Sequence, residues 1–141
     1  MSEPRFYGWK GQGLPDARDY LFAAPRRILE ALPAKIDLSS PGMPQLDQGN
    51  IGSCGPQTAS QDIFFDLVTR TIPHAPFPSR LFIYYNTRLL MGTVSQDSGV
   101  YNRDMMKALA KYGWCDETLW SYDPGRYRDQ PPQACYDQAV A

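Results

Sequence analysis

The stretch Gln48-Gly49-Asn50-Ile51-Gly52-Ser53-Cys54 places a cysteine directly after a glycine-bracketed loop and at the start of an amphipathic segment. Pro56 follows closely, and proline is tolerated in the first turn of a helix but not in its interior. The N-terminus of a helix offers unpaired N–H groups and the positive end of a dipole, which favour the thiolate form of a cysteine. The pattern therefore indicates a helix that begins at Cys54, with a cysteine nucleophile at its first position.

The residues around this cysteine decide between a reactive and a structural role. A lone cysteine is more often a small buried hydrophobic residue than a reactive one. Here Gly49 and Gly52 allow another backbone to approach closely. The Gln48 side chain also brings a neutral donor toward an acyl oxygen that gains charge. These neighbours favour a reactive Cys54.

Further blocks of sequence occur in the order found in one enzyme family. Together with the loop above, they resemble the papain-like cysteine peptidases in their bacterial style, over roughly residues 32–141. The Gln-Gly-x-x-Gly-Ser-Cys core is highly specific, whereas each of the other blocks is informative mainly through its order. These blocks are Leu32-Pro33-Ala34-Lys35-Ile36-Asp37-Leu38, Ser79-Arg80-Leu81-Phe82-Ile83-Tyr84-Tyr85, Asp97-Ser98-Gly99, Lys111-Tyr112-Gly113 and Trp120-Ser121-Tyr122-Asp123.

The resemblance implies an α+β fold of the papain-like type, with the mostly helical left domain present and the β-rich right domain absent. Residues 1–31 would be a leader or propeptide-like segment, with a tail packed on the surface as the alternative, and residues 32–141 the left half. In this family the nucleophile forms a thioester, and a glutamine amide and the cysteine N–H, here Gln48 and Cys54, hold the oxyanion. The substrate-binding positions that the resemblance implies are Gly52, Ser53, Ser98, Gly99 and Tyr101.

Two departures limit what the resemblance implies. Gly55-Pro56 follows the nucleophile where the type enzyme of the family has Trp-Ala, so the packing around the thiol must differ. The chain also reaches Ala141 before the general-base histidine and the orienting asparagine of the family. We therefore expect a peptidase whose base comes from outside these residues, and a chain that is inactive alone. A non-catalytic peptide-binding module and a Cys-dependent acyltransferase are the alternatives.

The composition is that of a globular piece without an electrostatic surface for nucleic acid or an anionic membrane. The 141 residues include 14 Lys and Arg and 15 Asp and Glu, for a formal net charge of -1. The N-terminus has no apolar run of the kind that a secretory signal needs, so a cytoplasmic location is the default expectation, with export by another route left open. The expected partners are a peptide or protein substrate and the missing right half, and neither nucleic acid, membrane nor cofactor is expected.

Periodicity and end signals predict helices over 54–70 and 100–112, and a proline pair predicts another near the end of the chain. The aromatic and β-branched content of residues 80–90 would also suit a strand, and only the resemblance to the papain-like family favours a helix there. The predicted spans are 54–70, 80–90, 100–112 and a last segment that opens at Pro131-Pro132. Ser79 is the expected N-cap of the second helix, and Gly113 is the expected stop of the third. Two apolar rows of the third helix are predicted to be buried: Met105 with Leu109, and Met106 with Ala110.

The remaining candidate chemistry is limited. His74 is the single histidine, and it follows the helix that begins at Cys54, so a solvated loop residue is favoured over a catalytic base. The three cysteines and His74 lack the paired short spacing of structural zinc modules, so no metal site is predicted. Cys115 and Cys135 are expected to be buried free thiols, with a disulfide between them as the alternative.

Overall fold

The structure of the chain is a computed structural model that describes residues 7, 8, 10, 11, 13, 15–19, 23, 25, 26, 31–37 and 43–139. Within residues 43–139 the architecture is helical. The helices are α1 (Cys54–Thr69), α2 (Arg80–Met91), α3 (Asn102–Tyr112) and α4 (Gln133–Ala139), with a short 3₁₀ helix at Pro124–Arg126. In the described part of the chain, the strand-like pairing is limited to an isolated antiparallel bridge between Pro78 and Asp116.

All four predicted helices are confirmed, with starts and ends that differ from the prediction by at most a few residues. Ser79 is the N-cap of α2, because its hydroxyl accepts a hydrogen bond from the Phe82 N–H at 3.3 Å. The same hydroxyl donates to the Trp120 carbonyl at 2.7 Å, which ties the start of α2 to a distant segment. Gly113 caps α3 with a φ of 66°, which favours glycine over other residues.

Helix α2 lies at the centre of the packing. Every residue from 81 to 88 is buried, and α2 packs against both α1 and α3. One side of α2 contributes to the main cluster, whose buried members are Ile51, Leu81, Phe82, Tyr84, Val100, Cys115, Trp120 and Cys135. Its other side places Ile83 between Ala59 of α1 and Met105 of α3. This packing fixes the start of α1 relative to the loop between α2 and α3.

One prediction about α3 was wrong. Met105 is buried and Leu109 packs against the core as expected, but Met106 is 61% exposed and Ala110 is also exposed. Successive helix residues point about 100° apart, so two adjacent rows are both covered only when neighbours flank the helix on both sides. Helix α3 packs on α1 and α2 through one face, and Met106 instead lines a cavity beside Cys54.

The predicted leader, residues 1–31, lies only partly within the described residues. Its described portion reaches the body near the start of α3, where Asp19 forms an ion pair with Arg103 at 2.5 Å. No helix among the described residues is both long and apolar enough to cross a membrane.

Candidate active site

A carboxylate from the loop between α2 and α3 holds the loop that precedes Cys54. The Gly52 N–H donates to both Asp97 oxygens, at 2.9 and 3.0 Å. The Tyr84 hydroxyl donates to the same carboxylate and accepts from the Gly99 N–H at 3.3 Å. Burial, and then the bond to Asp97, raises the pKa of Tyr84, so this hydroxyl remains a neutral donor. The network fixes the two glycine-containing loops relative to each other.

A second hydroxyl, that of Tyr122, also binds the loop that precedes Cys54. The Tyr122 hydroxyl donates to the Gln48 carbonyl at 2.8 Å and accepts from Ser53 Oγ at 2.6 Å. Gln57 Nε2 also donates to Ser53 Oγ, at 3.4 Å. As a result, the Ser53 side chain makes no capping bond to α1 although Ser53 is its N-cap residue. The first-turn N–H groups of α1 are therefore not covered by the hydroxyl that would usually accept from them.

The ion pair between Arg80 and Glu117 contacts the two residues that bind Ser53. Arg80 binds Glu117 through two hydrogen bonds, of 2.8 and 2.5 Å, and both side chains are largely buried. Arg80 also donates to Gln57 Oε1 at 3.0 Å, and its guanidinium lies 4.0 Å from the centre of the Tyr122 ring. The groups that bind Ser53 are thus themselves held in place.

Cys54 is the first residue of α1 and is half-buried. It lies at the wall of a cavity of about 460 Å³ between α1 and α3. Most of the other lining side chains are apolar, and among them are Ala59, Ile63, Met105, Met106 and Leu109. The Cys54 thiol therefore lies at a helix N-terminus, is partly accessible to solvent and borders an apolar cavity.

The predicted oxyanion donor lies in the same loop. Gln48 Nε2 donates to the Ile51 carbonyl at 3.0 Å, so the amide is braced within the turn that leads to Cys54. Ile51 itself is buried in the main cluster. The structure brings Gln48, Gly52, Ser53 and Cys54 together, as one turn anchored by Asp97 and Tyr122.

The two glycines predicted to bind substrate face each other across a narrow gap. A Cβ atom built on Gly52 would lie 3.3 Å from both the N and the Cα of Gly99, and 2.9 Å from the Cα of Gly8. The Gly8 carbonyl accepts from the Val100 N–H at 3.0 Å. Gly8, from the predicted leader, is therefore in main-chain contact with both loops.

Two further predicted substrate positions, Ser98 and Tyr101, make other contacts. The Ser98 hydroxyl forms hydrogen bonds within its own loop, with Thr93 Oγ1 at 2.8 Å and the Gly99 carbonyl at 3.0 Å. Tyr101 lines a separate cavity of about 450 Å³ with leader residues that include Gly13 and Asp16. Lys10 of the leader lies 5.3 Å from the centre of the Tyr101 ring. Neither side chain lines the cavity beside Cys54.

His74 does not line the cavity beside Cys54. It is exposed, has a φ of 52°, and lines a third cavity that shares no lining residue with that of Cys54. Within the described part of the chain, no three or more His, Cys, Asp or Glu side chains form a group that could hold a metal ion.

Comparisons with known proteins identify relatives of this chain. No family model matches the chain. The chain is 38% identical, over 105 residues, to an uncharacterized peptidase C1-like protein of Acanthamoeba polyphaga mimivirus. Its structure superimposes on the crystal structure of xylellain, a cysteine protease from Xylella fastidiosa, with a TM-score of 0.82 at 33% identity. The chain belongs to the papain-like cysteine peptidase family.

The two matches cover different shares of this chain and of the related proteins. The match to the mimivirus protein covers 74% of this chain and 34% of that protein. The match to xylellain covers 99% of this chain and 57% of that chain. This member of the papain-like family therefore spans about a third of one relative and just over half of the other, and its described helices adopt the papain-like fold over that length.

The sequence did not reveal several residues that shape the site of this papain-like chain. Asp97 and Tyr122 belong to blocks that resemble the family, but nothing in their spacing showed that they bind the loop before Cys54. Gly8 gave no signal, because a glycine in a leader rich in glycine and proline has no distinctive pattern. Only long-range contacts identify the roles of these three residues.

Proposed function

We propose that this chain is the nucleophile-bearing part of a cysteine peptidase and that Cys54 carries the acyl group. The Cys54 thiolate attacks a peptide carbonyl, the amine leaves, and water hydrolyses the thioester. The main support is the position of Cys54 at the head of α1, half-buried at the edge of an apolar cavity. The Ser53 side chain, which would usually cap this helix, is bonded to Tyr122, so it does not cover the first N–H groups of α1.

The oxyanion is held by the Cys54 N–H and the Gln48 amide. The first N–H groups of an α-helix have no partner within the helix and so can donate to a developing negative charge. The bond between Gln48 Nε2 and the Ile51 carbonyl limits the freedom of this amide. A donor that is already oriented stabilises the transition state without reorganising during the reaction.

The general base comes from a segment outside these 141 residues, within a β-rich right half. His74 is the single histidine, and it lines a different cavity from Cys54. The chain spans 57% of xylellain, which leaves a large part of that protease without a counterpart here. The chain alone therefore hydrolyses no peptide.

The substrate backbone lies between Gly52 and Gly99, and residues 1–31 form a leader that covers this groove. Gly8 already occupies the gap, with its carbonyl bonded to Val100 N–H as the carbonyl of an extended peptide would be. Ser53 and Ser98 act by holding the loops on either side, since their hydroxyls bond to Tyr122 and to the Gly99 carbonyl. Tyr101 borders the groove on the side where the leader leaves it.

The test is peptide turnover by this chain joined to the part of xylellain that lies outside the match. The fusion should hydrolyse a fluorogenic peptide, and Cys54→Ala should abolish turnover. Thr69→Ala, at the exposed far end of α1, is the matched control and should leave turnover unchanged. Turnover that survives Cys54→Ala would exclude Cys54 as the nucleophile. A folded fusion that binds peptides but cleaves none would favour a non-catalytic binding module.

A further inference from the structure

Two cysteines that the proposed mechanism does not use lie together in the core. Cys115, which follows α3, and Cys135, in α4, are each 0% exposed. Both belong to the main cluster, and the segments that carry them are in direct contact. Neither residue lines the cavity beside Cys54. They therefore form a separate dithiol rather than part of the nucleophile site.

The neighbours of the two cysteines hold the two segments against each other. The Asp116 N–H donates to Gln138 Oε1 at 2.6 Å. A Cβ atom built on Gly113 would lie 2.4 Å from the Ala139 carbonyl oxygen, so the backbones touch there. Cys135, Gln138 and Ala139 are spaced three and four residues apart and so share one face of α4. This face is the one that α4 presents to the segment after α3.

Tyr136 provides a further contact between α4 and the core. Tyr136 packs on Phe82 with ring centres 5.0 Å apart, and its hydroxyl donates to Asn86 at 3.2 Å. The helix has seven residues, and a helix of this length is not stable without its tertiary contacts. Helix α4 therefore opens locally more readily than α2, whose residues 81–88 are all buried.

The folded state suppresses the reactivity of these thiols. Burial raises the pKa of Cys115 and of Cys135, so little thiolate forms while α4 is docked. When α4 opens, both thiols become accessible to solvent, and when it closes again they return to the core. Disulfide formation between the two thiols therefore begins when α4 opens and is completed when α4 closes again.

We propose that Cys115 and Cys135 are a redox pair that forms a disulfide and thereby locks α4 to the segment after α3. The oxidant is a small-molecule disulfide such as oxidised glutathione. One cysteine thiolate attacks it and releases one glutathione thiolate, and the other cysteine then attacks the mixed disulfide and releases a second. The pair loses two electrons and two protons, and one small disulfide is reduced to two thiols.

The experiment uses the full chain with Cys54→Ala, which leaves only these two cysteines. The protein is incubated with oxidised glutathione, quenched with acid, digested with trypsin and analysed by mass spectrometry without reduction. Trypsin yields peptides 112–126 and 129–141, each with one of the cysteines. We expect these peptides to be joined by a disulfide, and a low concentration of urea to accelerate the reaction.

A thermal-unfolding measurement on the same samples gives an independent readout. The disulfide closes a loop of about 20 residues, so the oxidised protein should melt about 5–10 °C above the reduced protein. With Cys135→Ala as well, oxidised and reduced samples should melt at the same temperature, whatever the stability of that variant. Recovery of peptides 112–126 and 129–141 as separate free or glutathionylated thiols, even after urea treatment, would overturn the proposal.

Discussion

Asp97 shows how one carboxylate positions the loop before Cys54 through contacts far apart in sequence. Its two oxygens accept from Gly52 N–H, and the Tyr84 hydroxyl binds the same group. Both oxygens of a carboxylate accept hydrogen bonds, whereas the side-chain amide of an asparagine in its place would have one accepting oxygen and one NH₂ group that donates. The loop before Cys54 therefore depends on the charge and the acceptor geometry of a residue 45 positions downstream of Gly52.

Asp97→Asn should loosen this loop without unfolding the protein. Replacing one acceptor oxygen by an NH₂ group leaves a donor facing a donor, which costs about 1–3 kcal/mol of stability when the groups are buried. In the active fusion we expect kcat/KM to fall about 10–100-fold, because Gln48 and Cys54 lose their fixed relation. Asp66→Asn, in an exposed ion pair with Arg70, is the control and should change both quantities little. Equal effects of the two substitutions would contradict the positioning role of Asp97.

Gln48→Ala tests the oxyanion donor in the same fusion. Removal of one such donor lowers kcat by about 10²–10³-fold, with little change in the fold. Fluorogenic turnover and circular dichroism of the same samples provide the two readouts. A decrease in kcat/KM of less than about threefold would remove Gln48 from the oxyanion role.

Among the elements, the ends of the helices were predictable because their signals are local, although for residues 80–90 only the family resemblance favoured a helix over a strand. Ser79 and Gly113 determine where α2 begins and α3 ends through contacts a few residues away. The exposure of Met106 was not predictable, since periodicity identifies apolar rows but not which row a neighbour covers. Cys54 and Gln48 were identified because they lie within one short stretch of sequence. Tyr122 was not identified, because it lies 74 positions from Gln48 and its contact with that residue forms only in the fold.

Ser79→Ala tests the N-cap of α2 at the scale of the element. The substitution removes the acceptor for Phe82 N–H and leaves the Trp120 carbonyl without this donor. We expect the free energy of unfolding to fall by about 1–2 kcal/mol in urea denaturation. Thr69→Ala, which removes an exposed hydroxyl near the end of α1, should change it by less than about 0.5 kcal/mol. A loss for Ser79→Ala no larger than this control would contradict the capping role.

At the scale of the whole molecule, the leader is held to the body by polar contacts spread along its described residues. Gly8 bonds to Val100, Lys10 lies over the Tyr101 ring, and Asp19 pairs with Arg103. Asp16 lies 3.6 Å from Arg103 as well. These contacts are largely exposed, so they are sensitive to salt and acid in a way that the buried core is not.

Acid should release the leader before it unfolds the helices. A hydrogen bond from Arg103 lowers the pKa of Asp19, whereas the pKa of Asp16 is lowered to about 2 mainly by Arg18, which lies in the same segment as Asp16. Because Arg103 belongs to the body, the lowered pKa of Asp19 stabilises docking above the undocked value of about 4, and this contribution is lost as the pH falls through the lowered pKa. NMR signals of Gly8 and Gly13 should therefore become mobile over this range, and Arg103→Gln should show mobile leader signals already at pH 5. Unchanged signals down to pH 2 would contradict the acid-sensitive attachment.

The most direct test of a Cys54 nucleophile in a groove covered by the leader is peptide-mapped labelling of the native chain with a peptidyl epoxide. A Cβ on Gly8 would lie 1.9 Å from the Gly52 carbonyl oxygen, so Gly8→Ala displaces the leader, whereas a Cβ on Gly13 comes no closer than 4.0 Å to Arg103. We predict labelling at Cys54 that is several-fold faster in Gly8→Ala than in the wild-type chain or in Gly13→Ala. Equal rates at Cys54 in all three proteins, or no labelling of Cys54, would contradict the account.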